Sequence, residues 1–280
     1  MNYNRRNNPH KPTKTAHFYV FCGLRKLNTL NLRLFHTPLN SRNHFSTVLI
    51  KTNWYTTSCK YAECPQLRLT ANSSYFQAIN GLLISSSGTL ISCLSKDTHI
   101  NIQNSVNHIG DNAFIKRSSL QNVHMPNSVT HIGDCAFWGC SSLQSINIPN
   151  SVTHIGISPF IGCPQLRLTS ENPHFKVMNG LLVSSDGTLI SCLSEDTHIN
   201  IPNSVTHIGS FAFNLCRSLQ NIHIPNSVTH IGYSAFCGCN ALQAIHIPKG
   251  SMAKFMQLLP EELHDKLVEI DRVSSSMFPF

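Results

Sequence analysis

Charge is scarce in this 280-residue chain. Asp, Glu, Lys and Arg make up 12% of it, about half the usual share of a soluble domain. Only 13 residues are acidic, which leaves few carboxylates for acid–base chemistry. Tryptophan occurs twice and tyrosine six times, so the aromatic anchors of tight protein interfaces are rare. No window approaches the ~18 uninterrupted apolar residues of a membrane span, which excludes a membrane-spanning helix. There is no G-x-S-x-G, H-E-x-x-H, P-loop or dinucleotide fingerprint, hence no ready-made nucleophile, zinc or nucleotide site. The chain reads as a non-enzyme, with no catalytic residue, metal ligand or cofactor assigned.

What charge there is lies at one end. Residues 1–63 carry ten Lys/Arg against the single acid Glu63, a net +9, and residues 64–280 are close to neutral at −1. The basic balance thus belongs to an N-terminal arm. Residues 64–280 give no electrostatic reason to expect nucleic acid as a partner.

Self-similarity dominates the rest. Asn-Ser-Val-x-His-Ile-Gly begins at Asn104, Asn127, Asn150, Asn203 and Asn226, at intervals of 23, 23, 53 and 23. The long interval is one 23-residue unit plus 30 extra residues. A longer repeat lies over the short one: 64–126 matches 163–225 at a constant offset of 99, with CPQLRLT and GTLISCLS recurring unchanged. The chain is built by duplication.

One unit, 127–149, shows the physics. Val129 and Ile132 are apolar, and Gly133 is expected to supply a turn with positive φ. Ala136, Phe137, Gly139 and Cys140 follow. Leu143 precedes Ile146 and Ile148, which alternate with Asn147 as in a half-buried strand, and Pro149 ends the ladder. A single unit cannot bury its apolar face, but a stack can, because each apolar residue then lies on its counterpart. The columns are Phe114, Phe137, Phe160, Phe213, Phe236; Leu120, Leu143, Leu166, Leu219, Leu242; and Met125, Ile148, Ile224, Ile247. Coils about 4.8 Å apart would form a parallel sheet along the stack. Unit 150–172 departs from the pattern at Pro159 and Thr169, and distortion is expected there.

The extra piece has short β-like runs at 175–178, 181–184 and 188–193. Asn179-Gly180 and Asp186-Gly187 stand at its turns, and Asn-Gly is a strong hairpin signal. The first copy has Asn80-Gly81 and Ser87-Gly88 there. Both inserts, near 72–97 and 171–196, are expected to protrude as β-hairpins or small meanders, with re-entry at 197–201.

The pattern Leu-x-x-Ile-x-Ile-Pro-x-Ser-Val-x-x-Ile-Gly-x-x-Ala-Phe-x-x-Cys resembles the 23-residue BspA-type, or Treponema pallidum-type, leucine-rich repeat over roughly 58–250. The inserts resemble that family's Phe-x-x-x-Asn-Gly-Leu-Leu hairpin. The resemblance implies a mainly β, right-handed leucine-rich-repeat solenoid. It also implies cell-surface or extracellular proteins that bind other macromolecules, with no catalytic site to carry over.

The resulting organisation is an arm at 1–57, a solenoid at 58–248, and a C-terminal cap and tail at 249–280. Ser251 is placed to N-cap a helix to 259. Pro260-Glu261-Glu262 has the proline and acids of a helix start, and 267–270 suits a last strand. For the arm three readings stand open: disorder, a targeting segment around the apolar run 16–24, or decayed coils. No small-residue cleavage site follows that run. A shortened gene product holding only a structural remnant is a further reading.

Cys140, Cys163, Cys216 and Cys239 share one repeat position and read as a buried column. Cys93 and Cys192 belong to the inserts and are expected to face inward. Two thiols at Cys237 and Cys239 lack the second pair of a zinc site. Asp186, Glu195 and Asp196 read as turn residues. His108, His131, His154, His207 and His230 form one column, and His124, His223 and His246 another with Asn147. Outward strand positions give the columns Gln121, Gln144, Arg167, Gln220, Gln243; Asn122, Ser145, Asn221, Ala244; and His124, Asn147, His223, His246. The candidate binding residues are Gln121, His124, Gln144, Asn147, Gln220, His223, Gln243 and His246. A repetitive polar face of this kind suits a weak multivalent contact with a protein or glycan, an adhesin-like role. The alternative is a metal- or pH-responsive scaffold using the His columns.

Overall fold

The computed structural model describes residues 76–271 and, before them, the backbone of the short strands Leu30–Phe35, Phe45–Ile50, Arg68–Thr70 and Asn72–Ser73. The first two pair antiparallel, and Arg68–Thr70 joins the other edge of Leu30–Phe35. The alternatives for 1–57 otherwise lie outside the described residues.

The architecture is a mainly β solenoid of about eight turns. Each coil contributes to two sheets. In coil 127–149 the strand His131–Ile132 lies in one sheet and Ser145–Asn147 in the other. Both pair in parallel with the same residues of adjacent coils, as in His131 opposite His108 and His154. The turn between the strands is also hydrogen-bonded coil to coil. Phe114 N–H donates to the Ala136 carbonyl at 2.7 Å, and Phe137 N–H to that of Pro159 at 2.8 Å. Pro159, an expected source of distortion, thus keeps this bond, because a proline lacks only the donor.

Like residues consequently lie on like. Phe114 and Phe137 stack with ring centroids 4.8 Å apart, Phe137 and Phe160 at 5.5 Å, and Phe213 and Phe236 at 5.1 Å. The Leu and Ile columns are buried beside them. Strand spacing and ring stacking distance are nearly equal, so one geometry serves both.

Gly133 corrects an expectation. It does not adopt positive φ; Cys135, at φ 51°, takes the left-handed position instead. Glycine is needed at 133 for space, since a Cβ would lie 2.6 Å from the Asp111 amide nitrogen.

The second insert corrects another. It is a three-stranded antiparallel meander, Phe175–Met178, Leu181–Ser184 and Thr188–Cys192, turning at Asn179-Gly180 with φ of 49° and 72°. It does not project from the stack. Leu182 and Ile190 pack with the coils before it, and Leu181, Val183 and Leu189 with those after it. Its third strand pairs in parallel with His207–Ile208, as a preceding coil would. The consecutive apolar residues of these strands are buried because both faces of the meander are covered. Residues re-enter the coil at His198–Asn200, as expected.

The insertion breaks the strand sheet into two four-stranded sheets. Asn172 caps the break. It is buried, and its Nδ2 donates to the carbonyls of Pro149 at 2.6 Å and Val152 at 2.8 Å, with Oδ1 accepting from His174 N–H. Elsewhere a serine of the next coil serves such carbonyls, as Ser151 Oγ does for Val129. In the last coil before the break the strand Arg167–Thr169 slips by one residue. Arg167 pairs with Ser145 and Leu168 with Ile146, so Leu168 points inward. Arg167 therefore leaves the Gln121–Gln144 column to which the repeat assigned it.

The C-terminal end is closed by helix Met252–Leu258, a 3-10 turn at Glu261–Lys266 and strand Leu267–Ile270, which pairs in parallel with Ala244–Pro248. Phe255, Leu259 and Leu267 cover the last coil. Ser251 does not cap this helix through its side chain. Its hydroxyl turns back to the Pro248 carbonyl, and Glu269 Oε1 accepts the Met252 N–H at 2.8 Å.

Two variants test this account. Phe137→Ala removes a fully buried ring from the spine and is expected to cost about 3–5 kcal/mol, read as a lower urea midpoint. Asn172→Ala strands two carbonyls at the break and is expected to cost roughly 2–4 kcal/mol. A midpoint within error of the parent for either would contradict the packing described.

Candidate binding face

The strand face is set by alternation. In Asn122–His124 the central Val123 is buried and its neighbours point out, and His99–Asn101 and Ser145–Asn147 repeat the arrangement. Registers align His99, Asn122, Ser145 and Arg167 in one row, and Asn101, His124, Asn147 and Thr169 in the next. Between the rows lies a shallow groove of about 320 Å³ over Ile100, Val123 and Ile146. Hydrogen bonds tie the rim: Ser145 Oγ donates to Asn122 Oδ1 at 2.6 Å, and Thr98 Oγ1 meets His99 Nδ1 at 2.8 Å. Arg167 is the charged residue in these rows.

The second sheet repeats the pattern after the break. His198, Asn221 and Ala244 form one row, and Asn200, His223, His246 and Val268 the other. Asn221 Nδ2 lies 3.1 Å from His198 Nε2. Burial, then the neighbouring His246, holds the His223 imidazole below the usual histidine range.

The expected residues therefore divide. His124 and Asn147 stand together on the first sheet, and His223 and His246 on the second. Gln121, Gln144, Gln220 and Gln243 lie just before the strands. Their backbones continue the ladder, with Gln144 N–H donating to Gln121 O and Gln243 N–H to Gln220 O, both at 2.8 Å. They border the face rather than line its groove. Sequence reading missed His99, Asn101, His198 and Asn200. The signal was present in Thr-His-Ile-Asn-Ile at 98–102 and 197–201, without the leading leucine that marks other coils.

The other His column lies on the second sheet of each coil. His108 and His131 stack at 4.2 Å and 14°, His131 and His154 sit 5.5 Å apart, and His207 and His230 stack at 4.6 Å and 7°. The meander separates the two groups. Thr130, Thr206 and Thr229 hydroxyls hold Nδ1 of the following histidine at 2.8–2.9 Å. Burial, then His108 and His154, lowers the His131 pKa.

The acids of the second insert serve turns. Ser184 Oγ donates to Asp186, which also accepts the Thr188 N–H at 3.0 Å and is held below the usual carboxylate range chiefly by the Ser184 bond. Asp196 accepts from Ser194 Oγ, as Asp97 does from Ser95 in the first copy. Among the described residues no group of three or more His, Cys, Asp or Glu is placed to hold a metal ion, and no helix is long and apolar enough to cross a membrane. Cys140, Cys163 and Cys93 are buried, Cys192, Cys216 and Cys239 half-buried, and Cys237 exposed.

Fold and face together define a repeat solenoid of the leucine-rich kind. The BspA type leucine rich repeat region matches residues 85–179 and 190–257 in six copies. The chain belongs to that family. Among solved structures it is similar to a leucine rich cell surface protein from Faecalibacterium prausnitzii, at 32% identity over 54% of this chain and 48% of that one, with a TM-score of 0.47. It is also similar to the pneumococcal vaccine antigen PcpA, at 26% identity over 54% and 40%, TM-score 0.50. A third likeness is the T. pallidum leucine rich repeat protein, at 25% identity over 63% and 70%, TM-score 0.32. The chain spans about half the length of the first of these and two fifths of the second. No curated protein matches it.

Stacked histidines make a pH prediction. A lowered folded-state pKa means that the unfolded chain takes up protons first as pH falls. The stability is then whole above the unfolded value of about 6.5 and is lost as pH drops through the folded pKa. The melting temperature is expected to hold from pH 8 to 7 and to fall between pH 6.5 and 5, less steeply in His131→Gln. A flat profile from pH 8 to 5 would refute it.

Proposed function

We propose that the chain is a non-catalytic, macromolecule-binding repeat protein of adhesin-like use, located at the cell surface or outside the cell. The observation that carries this is the pair of register-aligned polar rows over the strand-face groove, repeated on a second sheet beyond the meander. Aligned Asn, Ser and His side chains, bordered by the glutamines, offer many equivalent donors and acceptors with little charge. Such a face binds weakly per contact and gains strength when several patches engage one partner. Protein or glycan surfaces with repeating polar groups fit this chemistry. Family membership supports a binding role, and the names of two similar structures, a cell surface protein and a pneumococcal antigen, support the location.

The test is binding of the full chain to panels of surface proteins and glycans. A double variant on each sheet, His124→Ala with Asn147→Ala and Gln220→Ala with His223→Ala, is then measured against each positive partner. If both sheets engage together, losing either is expected to weaken binding by about 100-fold. Unchanged binding in both variants would overturn the strand-face assignment and move the contact to the insert turns at Asn80 and Asn179.

A second reading, a pH-responsive scaffold, is favoured by the stacked histidines. It predicts that partner affinity follows the same pH 6.5 to 5 interval as the melting temperature. Affinity constant over that interval would remove it.

A further inference from the structure

The meander leaves one thiol of the cysteine column without its usual acceptor. Cys140, Cys163 and Cys239 each donate Sγ–H to the carbonyl of a phenylalanine 26 residues earlier, Phe114, Phe137 and Phe213, at 3.0–3.1 Å. Cys216 has no such phenylalanine, because the position 26 residues earlier falls within the insert. The insert strand Thr188–Cys192 takes the place of the preceding coil there, and Cys192 N–H donates to the Ala212 carbonyl at 2.7 Å. This sets Cys192 and Cys216 against the same core cluster of the second stack, with Cys192 Sγ donating to the Ser194 carbonyl oxygen at 3.6 Å. Both line a cleft of about 500 Å³, open to solvent, between coil 150–172 and coil 203–225.

The first copy supplies an internal control. There Cys93 N–H donates to the Ala113 carbonyl at the same 2.7 Å, but Arg117 stands where Cys216 would be. Cys93 has no thiol opposite, and burial pushes it up to about 11.

We propose that Cys192 and Cys216 form a redox-active dithiol, which low-molecular-weight disulfides oxidise to a cystine that staples the meander to the second stack. Cys192 attacks first. The neighbouring Cys216 holds its thiol below the ordinary value, and the thiolate is the nucleophile. It breaks the external S–S bond, forming a mixed disulfide and releasing one small thiol. The free Cys192 thiol, then burial, holds the Cys216 thiol high; the first of these restraints ends once Cys192 is blocked. Cys216 then loses its proton to solvent and attacks the Cys192 sulfur, releasing the second small thiol. Two protein S–H groups are lost, one S–S bond forms, and the external disulfide is reduced to two thiols.

The test treats the full chain with oxidised glutathione at neutral pH, quenches in acid, alkylates under denaturing conditions and maps peptides without reduction. Cleavage at Glu195 separates the two cysteines. The expected result is one crosslink between 192 and 216, with Cys93 and Cys140 alkylated. Cys216→Ser is expected to give a glutathione adduct at Cys192 and no crosslink; if it fails to fold, Cys216→Ala replaces it and the parent map still decides. Recovery of Cys192 and Cys216 as alkylated thiols, or a crosslink of either to Cys163 instead, would overturn the proposal.

Discussion

Equal spacing of the coils governs everything else in this molecule. Strands hydrogen-bond only when neighbouring backbones lie a fixed distance apart, and that distance is also close to the contact distance of two flat rings. A sequence repeating every 23 residues therefore places each side chain on its own copy. For Phe114, Phe137 and Phe160 the result is a continuous apolar spine. For the histidine column it is a row of stacked rings in which burial, then His108 and His154, lowers the pKa of the central His131. Core and pH sensitivity are two outcomes of one constraint, differing only in the residue repeated.

The meander shows what happens where the repeat is interrupted. A broken ladder exposes carbonyls, an apolar edge and a half-filled column. Each is answered locally: Asn172 takes the carbonyls, Leu182 and Ile190 cover the edge, and Thr188–Cys192 stands in for the missing coil. The slipped strand at Arg167–Thr169 belongs to the same repair, since it turns Leu168 into the core. The unpaired column position is the one left chemically open, at Cys216.

Much of the fold was legible in the sequence, because periodicity carries it. The Phe, Leu and Ile columns needed only the interval of 23, and the turns at Asn80-Gly81 and Asn179-Gly180 only their dipeptides. Three things were not legible. The β-like runs and turn dipeptides of the insert read like any hairpin, and nothing local says that a second stack covers its other face. The one-residue slip at Arg167 comes from the neighbouring strand's demand for an inward Leu168. The role of Gly133 depends on Asp111, one coil away. At the candidate site, His124, Asn147, His223 and His246 were found from the column pattern. His99 and His198 were missed because their coils begin in the insert and lack the usual leucine. The glutamines lie at the strand ends, which are the least sharply defined part of such a pattern.

The two-faced meander has a consequence for how such chains lengthen. In the first copy Leu82, Ile84 and Leu90 support the coils that follow, while Phe76, Leu83 and Ile91 are buried on the opposite side. The first 99-residue block thus carries its own foundation and ends on a coil that accepts the next foundation, and the second ends under the C-terminal helix and strand. Gene duplication in whole blocks adds length in a single step, without redesigning either terminus, and every added cassette arrives with a fresh patch of outward polar residues. Reach and valency then grow together, in fixed increments.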